Sequence, residues 1–468
     1  MPMPDRDAYP ILPGALADKP TLSLTDRLRG RRLRMPWSVP DAMFHEPFVR
    51  RKTLIGEMIF IGDPVLAKHV LVDKAANYPK APLELRMFSA LFGQGLLGID
   101  GDLWRKHRRT MAPAFDPRSV AGYAPAMAGC TEHFLQRWDE LPDGSVVDAA
   151  EEMTALTLSI IARTMFHEAG QGLETLIART LDDTPDLADF NLLDLLPVVW
   201  KFRMAARETR MAALFRPLDG AIAEMITARE ASADPPDDLL SRLIAARDET
   251  TGAGLSAREV RDEVITIFMA GHETTATAMA WAWFLLAKHP HEAARLHAEL
   301  DQVLGGRTPG QADIASLPFT RRLVDECLRL FPPAPGMSAR IAAAPDMLGE
   351  TPVKTGTYMV LAPWVQQRHR QTWDEPERFE PDRFLPERSE GRPRLATMPF
   401  GAGPRVCIGQ MLAVNEIILI LATVAQHYAL DLVSDAPVKL HHNVTLRPRG
   451  GLPMRLRRRT RAAALAAE

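Results

Sequence analysis

The sequence predicts a mainly α-helical protein with a small β region. Three observations carry this. Ser256 and Glu259 form an S-x-x-E capping box, and the helical pattern after them runs to His289, just before Pro290. Helix-period stretches fill most of residues 102–330 and return after Cys407. Strand-like segments are few and short, chiefly 54–61 and 351–363.

Residues 1–20 scatter Asp5, Arg6, Asp7, Asp18 and Lys19 among prolines, which fits neither a signal peptide nor a membrane anchor. Residues 54–61 alternate weakly and end in the turn Gly62-Asp63-Pro64. Residues 82–101 are apolar and glycine-rich and are expected to form a loop facing a ligand. Residues 102–111 read as a short basic helix. Pro197 interrupts the apolar stretch 186–202, which predicts two pieces or a loop joining helices. Residues 232–238 are a polar, proline-containing connection. The capped helix then covers about thirty residues, roughly 50 Å at 1.5 Å per residue, enough to cross a whole domain. Pro290 opens the next helix, which runs to Leu304 and is closed by Gly305-Gly306. A helix over 317–330 is stopped by Pro332-Pro333, residues 375–393 are a Pro- and Arg-rich coil, and a last long helix runs from Cys407 to about Tyr428.

With 468 residues, 46% of them hydrophobic, the chain can bury a large core and a pocket inside it. No linker or repeat divides it, so one domain over 1–468 is expected, with a Pro-rich leader (1–20) and a solvated basic tail (455–468) holding Arg455, Arg457, Arg458, Arg459 and Arg461. A net charge of -3 argues against a nucleic-acid partner. Cys130, Cys327 and Cys407 are odd in number and far apart, which argues against a disulfide framework and fits a reducing compartment. No C-x-x-C pair offers zinc ligands, and no C-x-x-C-H offers covalent haem attachment. The longest uncharged apolar run, 417–425, is too short to cross a bilayer. A cytoplasmic monomer without a transmembrane anchor is expected.

The most informative stretch is Phe400-Gly401-Ala402-Gly403-Pro404-Arg405-Val406-Cys407-Ile408-Gly409. Its glycines permit a sharp turn and close approach to a flat cofactor. A cysteine at a helix start meets free N–H groups and a positive dipole end, which favour thiolate. Ala270-Gly271-His272-Glu273-Thr274-Thr275 places a glycine and two threonines in the middle of the long helix, where local propensity is poorest. A violation of that kind points to function. Glu326 and Arg329 share a helix face at i, i+3, and Trp104 and Arg108 lie one turn apart.

These segments, in this order from about Asn77 to Gly450, resemble the F-x-x-G-x-R-x-C-x-G loop, the [AG]-G-x-[DE]-T-[TS] segment, the E-x-x-R pair and the W-x-x-x-R helix of the cytochrome P450 family. The resemblance implies the P450 fold, with haem b between the long helix and the cysteine-loop helix. It implies Cys407 as the thiolate ligand of iron, shielded by Phe400, with Gly403, Gly409 and Ala270 against the cofactor. Arg405, Trp104, Arg108 and Arg340 would hold its propionates. Gly271 would leave room for dioxygen, Thr274 would donate a proton to it, and Glu273 would feed protons inward. Arg378 would join Glu326 and Arg329 in a structural triad. Electrons would come from NAD(P)H through a separate ferredoxin or flavoprotein docking near residues 105–109 and the cysteine loop. The reaction implied is insertion of one oxygen atom into an apolar molecule, fatty-acid-like or terpenoid, lined by residues 85–97, 192–199, Met269 and Met337. The alternatives are a haem-thiolate peroxygenase or isomerase, and a non-catalytic haem sensor, for which His272 is the one candidate sixth ligand.

Overall fold

The computed structural model describes residues 39–53, 56–167, 197–442 and 444–460, with positions 176 and 180. Its principal helices are α1 (Pro82–Phe92), α2 (Gly101–Met111), α3 (Pro117–Asp139), α4 (Ala149–Phe166), α5 (Pro197–Ala231), α6 (Ala257–Lys288), α7 (Pro290–Leu304), α8 (Pro318–Leu330) and α9 (Gln410–His427). Most begin where the sequence supplies a partner for the first free N–H groups. Asp100, Asp116 and Asp148 cap α2, α3 and α4. Ser256 and Glu259 close both halves of the capping box of α6. Gly305, left-handed at φ 58°, ends α7.

The core sits around α9 and the second half of α6. Helix α9 is apolar on all sides, and residues 416–426 are buried without a break. A helix of that composition must be enclosed, and it packs against α3, α6, α7 and α8. It is the one described helix long and apolar enough to cross a membrane, and most of it lies inside the core. Residues 275–286 of α6 are likewise buried. There Trp281 stacks on Phe331 at 4.2 Å and donates to the Leu446 carbonyl at 2.6 Å. Helix α4 runs along α6, with Thr157 Oγ1 donating to the His272 carbonyl at 2.9 Å.

The β structure is peripheral. One sheet orders Phe48–Thr53, Gly56–Ile61, Tyr358–Leu361 and Arg340–Ile341, and its second and third strands are parallel. Another pairs Pro453–Arg458 with both Val146–Asp148 and Tyr428–Leu432. Two short hairpins complete it.

Three expectations are corrected. The stretch 82–101 is a helix, α1, followed by a loop only from Gly93. Pro82 is a good first helical residue and Leu, Glu and Met propagate it, so the glycines mark the end rather than the whole. The basic tail does not begin at 455. Arg455, Arg457 and Arg458 are in a sheet strand, and their side chains bond Gly144, Asp431, Asp139 and Leu141. Arg459 reaches Asp301 at 2.8 Å. Alternate residues Met454 and Leu456 face the core, which fixes the register and leaves Arg455 and Arg457 on the outer face. Finally, α9 starts at Gln410, three residues after Cys407. The leader 1–20, residues 461–468 and residues 186–196 of the interrupted apolar stretch lie outside the described residues.

Candidate active site

Cys407 sits on a loop whose shape its glycines dictate. Gly403 has φ 70°, and a side chain there would overlap the Leu71 carbonyl; Gly401 has φ 74°. Cys407 N–H donates back to the Phe400 carbonyl at 2.9 Å. Phe400 itself packs against the main core. The Cys407 residue surface is exposed, yet burial is the largest influence on its thiol and pushes it up. The Gly409 N–H and the Arg108 guanidinium pull the other way. The cysteine stands ahead of α9, so these two groups are what the protein itself offers to a negative sulfur.

Four cations gather on the same side. Arg405 lies 4.1 Å over the Trp104 ring and pairs with Asp100. Burial pulls Arg405 down to about 10. Arg340 is buried, and Arg108 is close enough to Cys407 to influence it. The fourth, Lys80, was not anticipated. Burial, then Arg405 and Arg340, pull it down to about 7. One Nη of Arg340 and one of Arg405 are buried without a hydrogen-bond acceptor among the described residues. Crowded cations with idle donors are what a dicarboxylate cofactor would satisfy. Gly409 fits as well, since a Cβ there would meet open space, so no protein contact demands glycine. A flat haem beside the loop would.

The facing helix is open where it should be tightest. Ala270 is exposed, and Thr274, one turn on, is half-buried. Thr274 Oγ1 donates to the Ala270 carbonyl at 2.7 Å. Gly271 points elsewhere than expected. A Cβ added there would make only ordinary contact with Ile161 of α4, at 3.5 Å, so Gly271 lies toward α4 while Ala270 supplies the open face. His272 lies about 200° around the helix from Ala270. It is buried, and its Nδ1–H donates to the Phe268 carbonyl at 2.9 Å. That orientation disfavours it as a sixth iron ligand. The Glu273 carboxylate is 2.5 Å from Arg447 and accepts from Thr445, partners that sequence reading missed. A small apolar crevice nearby is lined by Phe166, Phe215, Leu218, Ile222, Val264, Ile265, Phe268 and Met269. Of these only Met269 was expected; the i, i+3, i+7 spacing of Phe215, Leu218 and Ile222 was the available signal.

Glu326 and Arg329 form a fully buried pair at 2.6 and 2.8 Å. The further arginine on Glu326 is Arg383, at 3.5 Å, rather than Arg378. Arg378 bonds Glu375 through its guanidinium and meets Arg329 through its carbonyl. The short helical turn Pro381–Phe384 carries Arg383 back onto α8, a fold-back that spacing alone does not encode. Gln367 links this cluster to the cysteine loop, bonding the Arg329 carbonyl and accepting from Met398 N–H at 2.9 Å.

Glu416 was also missed, although it is the one charge in the apolar sequence of α9. It is fully enclosed, its partner is Thr275 at 3.4 Å, and burial pushes its carboxyl up to about 8. The protonated acid thus stabilises the fold fully below its ordinary value, and the contribution is lost as pH rises toward 8. Glu416→Gln should stabilise the chain by about 3 kcal/mol at pH 7 and by little at pH 4.5. Urea unfolding of both chains at the two pH values checks this; equal pH slopes would refute it.

A cysteine on a glycine-rich loop, cations with idle donors and a helix opened at Ala270 define an oxidoreductase of the haem-thiolate class. The comparisons agree. The Cytochrome P450 family model matches residues 31–453. Cyclooctatin synthase of Streptomyces melanosporofaciens is 34% identical, over 82% of this chain and 83% of its own. The same organism's cyclooctat-9-en-7-ol 5-monooxygenase is 34% identical, over 78% and 79%. The haem domain of cytochrome P450DA superposes with a TM-score of 0.76 at 26% identity, covering 88% of this chain and 90% of that one. The chain belongs to the cytochrome P450 family and is a P450 monooxygenase.

Proposed function

We propose that this chain is a single-domain haem b enzyme that inserts one atom of dioxygen into an apolar, terpenoid-like small molecule. The observation that carries the reading is Cys407 on its glycine-shaped loop, within reach of Arg108 and beside buried Arg405 and Arg340 donors that have no acceptor among the described residues. Haem held there supplies dioxygen activation, using two electrons and two protons per turnover and releasing the second oxygen atom as water. Cys407 Sγ would hold its iron, and Phe400 would keep water from the sulfur. Arg340, Arg405, Arg108 and Trp104 would bind its carboxylates, with Gly403 and Gly409 giving the loop its close approach. Ala270 leaves space on the opposite wall. Thr274 Oγ1 holds the proton to be delivered, turning from the carbonyls it now bonds. Glu273 draws replacements from solvent, since its side chain is partly exposed and is held by Arg447 and Thr445.

The relative named for cyclooctat-9-en-7-ol monooxygenation favours a terpenoid over a fatty acid. Electrons come from NAD(P)H through a separate ferredoxin or flavoprotein in the cytoplasm. The donor docks on the basic face that presents Arg105 and Arg109, both half-exposed.

The deciding experiment is the absorption spectrum of the reduced protein under carbon monoxide. A strongly red-shifted Soret band is expected; a band at the histidine-ligand position, or none, would overturn the reading. Terpenoids, and not fatty acids, should then shift the spin state of the ferric protein. Thr274→Ala should release peroxide and lower product formed per NAD(P)H by about tenfold or more. Unchanged coupling would remove Thr274 from proton delivery.

A further inference from the structure

The loop 93–98 is fastened from both sides. Towards α6, two neighbouring buried carboxylates hold its N–H groups. Asp262 accepts from Gln94 N–H at 2.8 Å and Glu263 from Leu96 N–H at 3.1 Å. Both carboxylates are braced from behind. Arg261 reaches Asp262 at 2.5 Å and also bonds Asp219 of α5. His107, fully buried on α2, lies 2.7 Å from Glu263 through Nδ1 and 3.1 Å from Glu259 through Nε2. Carboxylates at both ring nitrogens favour the doubly protonated imidazolium, and Lys106 adds a cation at Glu259. Towards the cysteine loop, Lys80 Nζ donates to the Leu97 carbonyl at 2.8 Å, and Asp100, just beyond the strap, pairs with Arg405. Two glycines let the loop lie flat. A Cβ at Gly93 would overlap the Asp262 carboxylate, and one at Gly95 would overlap Thr266 Oγ1.

A surface loop does not ordinarily recruit two buried carboxylates and a buried lysine, because burying charge is costly unless it is paired. We propose that loop 93–98 is a strap joining the α6 wall to the cysteine-loop wall, and that Asp262, Glu263, His107 and Lys80 are positioning residues that set how readily a small molecule enters between them. The inference rests on the reading that these walls enclose the haem and substrate cavity. None of the four acts on substrate directly. They act through the strap, whose Leu96 and Leu97 are held by backbone atoms and so keep fixed places whatever their side chains touch.

Two variants test the strap from opposite sides. Glu263→Gln removes the charge that pairs with His107, and Gly95→Ala pushes the loop off α6 without touching a carboxylate. Hydrogen exchange of the peptide covering 93–98 is read on the full chain, and the association rate of imidazole is read by the Soret shift of the haem-loaded protein. Each variant should speed both by about tenfold, the worth of one charge-assisted hydrogen bond. Combined, they should add little, since either one opens the same contact. Unchanged exchange in both variants would overturn the strap; faster exchange with unchanged imidazole association would overturn its control of entry. A wild-type protein without the red-shifted carbon monoxide band would sink the haem-thiolate reading instead, and exchange would still decide the strap.

Discussion

Cys407→Ala yields a chain that folds normally and forms no product. The folded state loses little, because Cys407 is exposed, and the backbone bond from Cys407 N–H to the Phe400 carbonyl at 2.9 Å remains. The change in stability should stay within about 0.5 kcal/mol, the range of substitutions away from packed sites. Function loses its centre. Sulfur is the one soft, anionic ligand at this place, and its electron release is what favours O–O cleavage. The Gly409 N–H and the Arg108 guanidinium, both favouring negative charge at the sulfur, would be left with nothing to stabilise. Circular dichroism and thermal melting of the haem-free chain should superpose on those of the haem-free parent. Haem content should fall, the red-shifted carbon monoxide band should disappear, and product should stay at background. Cys327→Ala is the matched control. That thiol is enclosed in α8, so its loss should lower stability by about 1 kcal/mol and leave the spectrum untouched. Normal turnover by Cys407→Ala would remove it as the iron ligand.

The contrast between these two cysteines shows what was legible in the chain. Cys407 is marked by its neighbours, because the turn needs glycine at fixed offsets and such requirements are written locally. The same holds for α6, whose capping box, length and stop at Pro290 are all local features and all appear in the structure. Illegible parts depend on contacts between distant segments. Lys80 feels Arg340 because a β-bridge sets the two residues side by side, and it also feels Arg405, 325 positions away. Glu273 finds Arg447 because a hairpin turns back over α6. Arg383 displaces Arg378 on Glu326 because a helical turn intervenes in what reads as coil. The misread basic tail belongs to the same class. Arg455 and Arg457 alternate with Met454 and Leu456, and that period-two pattern was a strand signal hidden by the density of charge.

Arg329→Ala is expected to be the most damaging single substitution for stability. Its guanidinium has five N–H groups, and all five are used. Nε and Nη2 donate to Glu326 at 2.6 and 2.8 Å, Nη1 to the carbonyls of Gln367 at 2.9 Å and Pro376 at 2.7 Å, and Nη2 also to that of Arg378 at 3.0 Å. The Trp373 ring lies 4.9 Å from its charge. Truncation would strand a buried carboxylate with Arg383 as its nearer cation, and would orphan three carbonyls in a place water cannot easily reach. Breaking a buried pair from one side costs about 3–5 kcal/mol, and orphaned carbonyls add to that. Against a total of about 5–15 kcal/mol, this is enough to leave little folded protein. Lysine should not rescue it, since three donors on one nitrogen cannot span two carboxylate oxygens and three carbonyls. Glu326→Gln with arginine retained should be milder, because an amide oxygen can still accept. The ordering expected in urea unfolding is therefore parent, then Glu326→Gln, then Arg329→Lys, then Arg329→Ala. Haem retention should fall in the same order, because Gln367, bound to the Arg329 carbonyl, is also what holds Met398 at the start of the cysteine loop. An Arg329→Ala chain as stable as its parent would show that the cluster is an ornament of α8 rather than the scaffold of the cysteine loop.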